Sequence, residues 1–217
     1  MIPAGLALAL LSSAALAAPL PPERPAPGPA SAAHASDPLP GPAQMICRDP
    51  RLSGDPRPDI IDVGQLACGI DDPVRVTSVA GIRLAPPALV DCRTARRLAN
   101  WLTGVAQPEA RAKLGAGIAE VRVMGSYACR TQNNAGRQRS EHARGRAIDI
   151  GGFTLTNGVE VTLARDWGET PEGAFLREIW RKGCGPFATV LGPEADRHHR
   201  DHLHLDTSPR GGEPYCR

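Results

Sequence analysis

With 217 residues the chain has room for one well-filled domain with tails, and not for two large ones. A formal net charge of +2 and an aromatic content of 4% argue against a nucleic-acid binder, which needs a concentrated basic face and stacking side chains. The arginines are spread along the chain and read first as solvated surface.

The apolar run Leu6 to Leu11, followed by the small residues Ala15-Leu16-Ala17-Ala18, is expected to be a secretory signal over residues 1–18, although a basic segment before it is missing. It is too short to span a bilayer, and no later stretch is apolar for long enough to do so. Residues 19–45 are dominated by Pro, Ala and Gly and are expected to form an extended linker, because they cannot bury enough surface to offset their ordering entropy. The folded domain is expected over residues 46–217. Six cysteines (Cys47, Cys68, Cys92, Cys129, Cys184 and Cys216) in an exported chain suggest up to three disulfides, whose pairing the sequence leaves open. No Cys-x-x-Cys pair is present, so a cysteine-ligated zinc is not expected. A bridge ending at Cys216 would tie down the C-terminal end of the domain.

Val74 and Val76, then Ile82 and Leu84, alternate with polar residues and predict short strands. Pro86 and Pro87 are expected to open a helix that keeps Ala88, Cys92, Ala95, Ala99 and Leu102 on one side and closes near Gly104. A shorter helix is expected from Pro108 to Leu114. Val121 and Val123 predict a strand running into Gly125-Ser126-Tyr127. Ala147 to Ile150 predicts another, with Ile148 and Ile150 facing the core and Asp149 facing a cleft. Asn157-Gly158 predicts a hairpin turn, since both central residues tolerate positive φ. Pro171 introduces a helix with Phe175, Leu176, Ile179 and Trp180 at helical spacing, ending near Gly183. Phe187 to Leu191 reads as a strand. In His202-Leu203-His204-Leu205-Asp206 the period is two, so Leu203 and Leu205 face the core while His202, His204 and Asp206 share the other face. Trp101, Trp167 and Trp180 read as packing residues, with Trp167 also placed to line a cleft.

The chemistry concentrates in two stretches, Ser140 to Asp149 and Asp201 to His204. Folding that joins two imidazoles and a carboxylate would give zinc three ligands and leave a fourth position for water. Spacing alone also admits a surface loop at His142 and exposed edge-strand positions at His202 and His204.

Ser126-Tyr127-Ala128-Cys129-Arg130, Ser140-x-His142-x-x-Gly145-x-Ala147-x-Asp149 and Asp201-x-x-His204 together resemble the zinc D-alanyl-D-alanine carboxypeptidases and dipeptidases, whose fold is shared with lysostaphin-type endopeptidases and the hedgehog signalling domain. The run from about Cys68 to Arg217 more closely resembles the bacterial extensin-like C-terminal domain family. The resemblance implies an α+β domain with an antiparallel sheet and helices packed on it. It implies Zn2+ held by His142, Asp149 and His204, and a general base at Asp201, where that group has the longer Glu. Arg130 matches an arginine that polarises the scissile carbonyl or holds a substrate carboxylate, and Ser140 a residue that seats the substrate. Asp206 and Glu194 are weaker candidates for the base.

The expected reaction is attack of zinc-activated water on a peptide carbonyl, with Asp201 moving the proton and Arg130 and His202 stabilising the developing charge. His198 and His199 are read as loop polarity, and Arg137, Arg139, Arg144 and Arg146 as a solvated loop able to attract stem-peptide carboxylates. The expected partners are peptidoglycan peptides, met by a monomer in the periplasm or cell envelope. The competing expectation is a cell-wall-binding module with a structural zinc and no turnover.

Overall fold

The computed structural model describes residues 44–61, 68–132, 138–209 and 211–217. The expected signal segment, the linker up to residue 43 and Arg137 lie outside the described residues. Gln44–Met45, read from sequence as the end of the linker, form a short strand β1 paired antiparallel with β2 (Leu52–Pro56). A small separate ladder joins β3 (Ile60–Ile61) to β4 (Gly69–Ile70).

The alternation around Val74 and Ile82 becomes the hairpin of β5 (Pro73–Val79) and β6 (Ile82–Asp91), with Val74, Val76, Val79, Ile82 and Leu84 all buried. Pro86 and Pro87 do not open a helix. They lie inside β6, between Arg83–Ala85, which pairs with the next strand, and Ala88–Asp91, which pairs with β5. Neither ladder requires an N–H at that gap, so two prolines fit an extended chain. The helix α1 (Cys92–Trp101) starts later, where the Asp91 side chain accepts a hydrogen bond from Thr94 N at 2.7 Å. Nor does the chain close at Gly104. A π-helical turn, Leu102–Ala106, carries it directly into α2 (Gln107–Leu114), which ends at Gly115 with φ of 69°.

The return strand β7 (Ile118–Gly125) runs parallel to β6, as a crossover through two helices permits, and antiparallel to β8 (Ala147–Leu155). The expected turn at Asn157-Gly158 joins β8 to β9 (Glu160–Thr162), with Gly158 at φ of 84°. A one-turn helix α3 (Leu163–Asp166), not anticipated from periodicity, precedes α4 (Pro171–Gly183), whose first turn is capped by Thr170. The chain closes with β10 (Thr189–Leu191), β11 (Leu203–Asp206) and β12 (Tyr215–Cys216).

The large sheet has the order β1-β2-β5-β6-β7-β8-β11-β10-β12, with β9 also on β8. The fold is α+β with helices packed on the sheet, but the sheet is mixed rather than antiparallel, because β6/β7 and β10/β12 run parallel. Leu98, Trp101, Leu102, Phe175, Leu176 and Ile179 from the helices share one apolar core with Val76, Leu84, Val121, Ile148, Ile150, Leu203 and Leu205 from the sheet. Trp101 keeps its indole N–H satisfied inside this core by donating to Ile179 O at 3.0 Å. Phe153 meets Phe175 edge to face. Disulfides join Cys47 to Cys92, Cys68 to Cys129, and Cys184 to Cys216, so the expected bridge at the C-terminal end is present.

Candidate metal centre

β8 and β11 pair so that His204 lies directly opposite Asp149, flanked by Leu203 opposite Ile150 and Leu205 opposite Ile148. The four apolar side chains are fully buried in the core. A strand's two-residue period then turns Asp149 and His204 together to the opposite face. His204 Nδ1 lies 2.9 Å from Asp149 Oδ1.

The third group arrives on a tight loop. Ser140 caps a single 3-10 turn, Glu141–Arg144, through a hydrogen bond to its side chain from His142 N, and the turn ends at Gly145 with φ of 64°. Against this loop runs the segment after β7, tied to it by Ala128 N to His142 O and Ser140 N to Arg130 O, and anchored by the Cys68–Cys129 bridge. Its Ser126 carbonyl accepts from His142 Nδ1 at 2.5 Å, which leaves His142 Nε2 aimed inward. That nitrogen is 3.2 Å from Asp149 Oδ2 and 3.2 Å from His204 Nδ1.

One ligand-capable atom each from His142, Asp149 and His204 thus lies within 4.8 Å of the others. The remote nitrogen of each imidazole has its own acceptor, the Ser126 carbonyl for His142 and Asp206 Oδ2, at 3.4 Å, for His204. Such outer partners fix ring orientation and tautomer in metal sites. Asp206 is itself held by Ser208, which donates from N and Oγ at 3.0 and 2.9 Å. Burial would push the Asp149 carboxyl up, but hydrogen bonds from His142 and His204 reverse this and hold it far below the usual carboxylate range. Burial likewise pulls His204 down, but Asp149 and Asp206 outweigh it and bring it up to about 9. Two imidazoles and an ionised carboxylate form a donor set suited to a divalent ion such as zinc, so the residues fit the expected metal.

The other expected site residues distribute around this trio. A cavity of about 210 Å3 opens on it, walled by Arg130, Ser140, Glu141, His199, His204 and Asp206 among others. Arg130 and Ser140 therefore share the space next to His204, with Ser140 also serving as the cap. His202 Nε2 is 3.7 Å from Asp149 Oδ1. Asp201 lies in the turn entering β11 with its side chain 53% exposed, and Oδ1 accepts from His202 Nδ1 at 2.8 Å. Its contact with the trio runs through that imidazole. Glu194 accepts from Trp167 Nε1 at 3.0 Å, and Asp206 Oδ2 lies 3.4 Å from His204 Nε2.

Two residues at the site escaped the sequence reading. His199, taken as loop polarity, places its ring 5.2 Å from that of His202 and 5.8 Å from that of His204, with Nδ1 on Asp196 at 2.9 Å. Burial keeps its pKa below the ordinary imidazole value despite Asp196. Glu141, adjacent to a ligand, lines the cavity, and its Oε2 is buried without a hydrogen-bond partner among the described residues. Burial, reinforced by Asp206, raises its pKa. Neither residue lies on a strand, so no periodicity could have marked them.

Residues 49–217 match the family model described as extensin-like protein C-terminus, and the chain belongs to that family. No curated protein and no solved structure matches the chain.

Proposed function

From this membership and the geometry of the trio we propose that the protein is a zinc-dependent peptidase acting on peptide bonds in peptidoglycan stem peptides or cross-links, exported to the periplasm or cell envelope. The observation that carries the reading is the convergence of His142 Nε2, an Asp149 oxygen and His204 Nδ1 beside a cavity that also holds Arg130. The likeness of the Ser140 to Asp149 and Asp201 to His204 motifs to zinc D-alanyl-D-alanine peptidases supports the substrate class.

His142, Asp149 and His204 would hold a zinc ion, which would supply Lewis acidity toward a water and the scissile carbonyl. The rest is the work of this chain's side chains. His202 Nε2 takes the proton from the attacking water and returns it to the leaving amine, because it borders the trio while Nδ1 is held by Asp201. The proton-transfer role expected of Asp201 thus passes to His202, and Asp201 orients the ring. Arg130 steadies the substrate carboxylate or the oxygen on which negative charge develops, from the same cavity wall as Ser140. The His199 ring lies beside that of His202 at 5.2 Å.

Incubating the purified protein with defined muropeptides, with zinc or with a chelator, and reading products by mass spectrometry tests the proposal. Chelator-sensitive appearance of shortened or unlinked peptides is the expected result. Intact muropeptides at every zinc level, with retention on purified cell wall, would instead establish a binding module.

A further inference from the structure

A second cavity lies apart from the metal centre. It has a volume of about 540 Å3 and is walled by the turn after β1, the end of β2 and the first half of α1. Three exposed arginines from three different segments line it, Arg48 from the turn, Arg57 from just past β2 and Arg96 from α1, against one acidic residue, Asp72.

Among the described residues Arg51, Arg75, Arg83, Arg165, Arg177 and Arg181 have carboxylate partners within ion-pair distance. Among these described residues, Arg48, Arg57 and Arg96 have no carboxylate within that distance. Asp49 is held by Arg51 through both oxygens at 2.9 and 2.6 Å and also feels the charge of Arg96. The turn is also built to hold its position. Cys47 and Arg48 both stand at φ of 55°, a region that side chains other than glycine rarely adopt, and the Cys47–Cys92 disulfide ties the turn to the start of α1. Arg96 donates to Cys47 O at 3.1 Å, fixing one guanidinium at the cavity wall.

We infer that this cavity is an oxyanion-binding site, in which Arg48, Arg57 and Arg96 receive a multiply charged phosphate or polycarboxylate. Planar guanidinium forks match the oxygens of both groups, and three of them lining one cavity make a multiply charged anion the best-fitting ligand. The site is independent of the metal centre and of the peptidase reading.

Isothermal titration of the full chain, stripped of metal and kept at low ionic strength, tests this with pyrophosphate and citrate as the probes. Saturable one-to-one binding of at least one probe is expected, and whichever binds tighter distinguishes phosphate from carboxylate recognition. The double variant Arg48→Gln/Arg96→Gln should bind at least about tenfold more weakly, since each lost charge-assisted bond is worth that much. Arg93→Gln/Arg97→Gln, elsewhere on α1, should bind as the parent does. Absence of saturable binding overturns the inference. So does affinity that survives in Arg48→Gln/Arg96→Gln, which would assign the anion to the metal centre or another surface. If that variant does not fold, Arg57→Gln decides the same question, because full affinity in it is equally contrary.

Discussion

The two histidines of the trio offer different nitrogens, His142 through Nε2 and His204 through Nδ1, because their outer acceptors differ, a main-chain carbonyl in one case and Asp206 in the other. Without metal, the His204 imidazole carries a proton that an incoming ion has to displace. A raised imidazole pKa contributes stability that is complete below its ordinary value of 6.5 and is lost as pH rises through about 9. Asp149, with its pKa depressed, contributes above the ordinary 3.8 and loses that contribution only as pH falls through its folded value. Chelated protein should therefore unfold at progressively lower temperature as pH is raised from 6.5 to 9, and zinc affinity should rise across the same interval. A melting temperature that climbs over that range would be contrary.

His202 and Asp201 separate metal binding from turnover at the same scale. His202→Gln should keep its zinc and lose roughly 10²- to 10⁴-fold in kcat. Asp201→Asn should lose less, about 10- to 100-fold, as an orienting partner does. Steady-state kinetics alongside metal analysis reads both, and an Asp201 variant more impaired than its His202 counterpart would return the base to Asp201. Asp149 and His204 were legible because a strand's period of two fixes their direction from Ile148, Ile150, Leu203 and Leu205. His199 and Glu141 were not, since loop residues acquire a direction only from tertiary contacts.

At the level of elements, the centre depends on how closely β7 approaches β8. A Cβ added at Gly125 would stand 2.6 Å from Asp149 Oδ2, in a strand whose register to β8 is irregular at that point. Gly125→Ala should therefore leave the far-UV circular dichroism unchanged and weaken zinc binding by about 10- to 100-fold in a chelator-competition titration. Unchanged affinity would show that the carboxylate has room to move. Strands, the Asn157-Gly158 hairpin and α4 were readable because periodicity, turn chemistry and an opening proline agree there. The start of α1 was misread because a proline's φ suits a helix's first turn and an extended strand alike, and only the offset ladders on the two sides of β6 choose between them. The parallel pairing of β6 with β7 was invisible for a related reason, since it depends on where α1 and α2 return the chain.

For the whole molecule, three disulfides fasten the periphery of a single core, and one of them, Cys184–Cys216, ties α4 to β12 at the far edge of the sheet. Replacing both cysteines by Ser should cost about 2–4 kcal/mol of unfolding free energy, measured by denaturant titration, while zinc binding persists. Loss of zinc in the folded variant would mean that the edge strands help to hold the centre in place. In the proposed reaction, one ion held by His142, Asp149 and His204 drives peptide cleavage. The most direct measurement is the initial rate of muropeptide cleavage as zinc is returned stepwise to chelated protein. The rate should rise from zero and level off at about one zinc per chain, as a centre with three protein ligands and one open position requires, and His204→Ala should stay at zero throughout. Cleavage that persists in the chelated protein, or in His204→Ala, would contradict it.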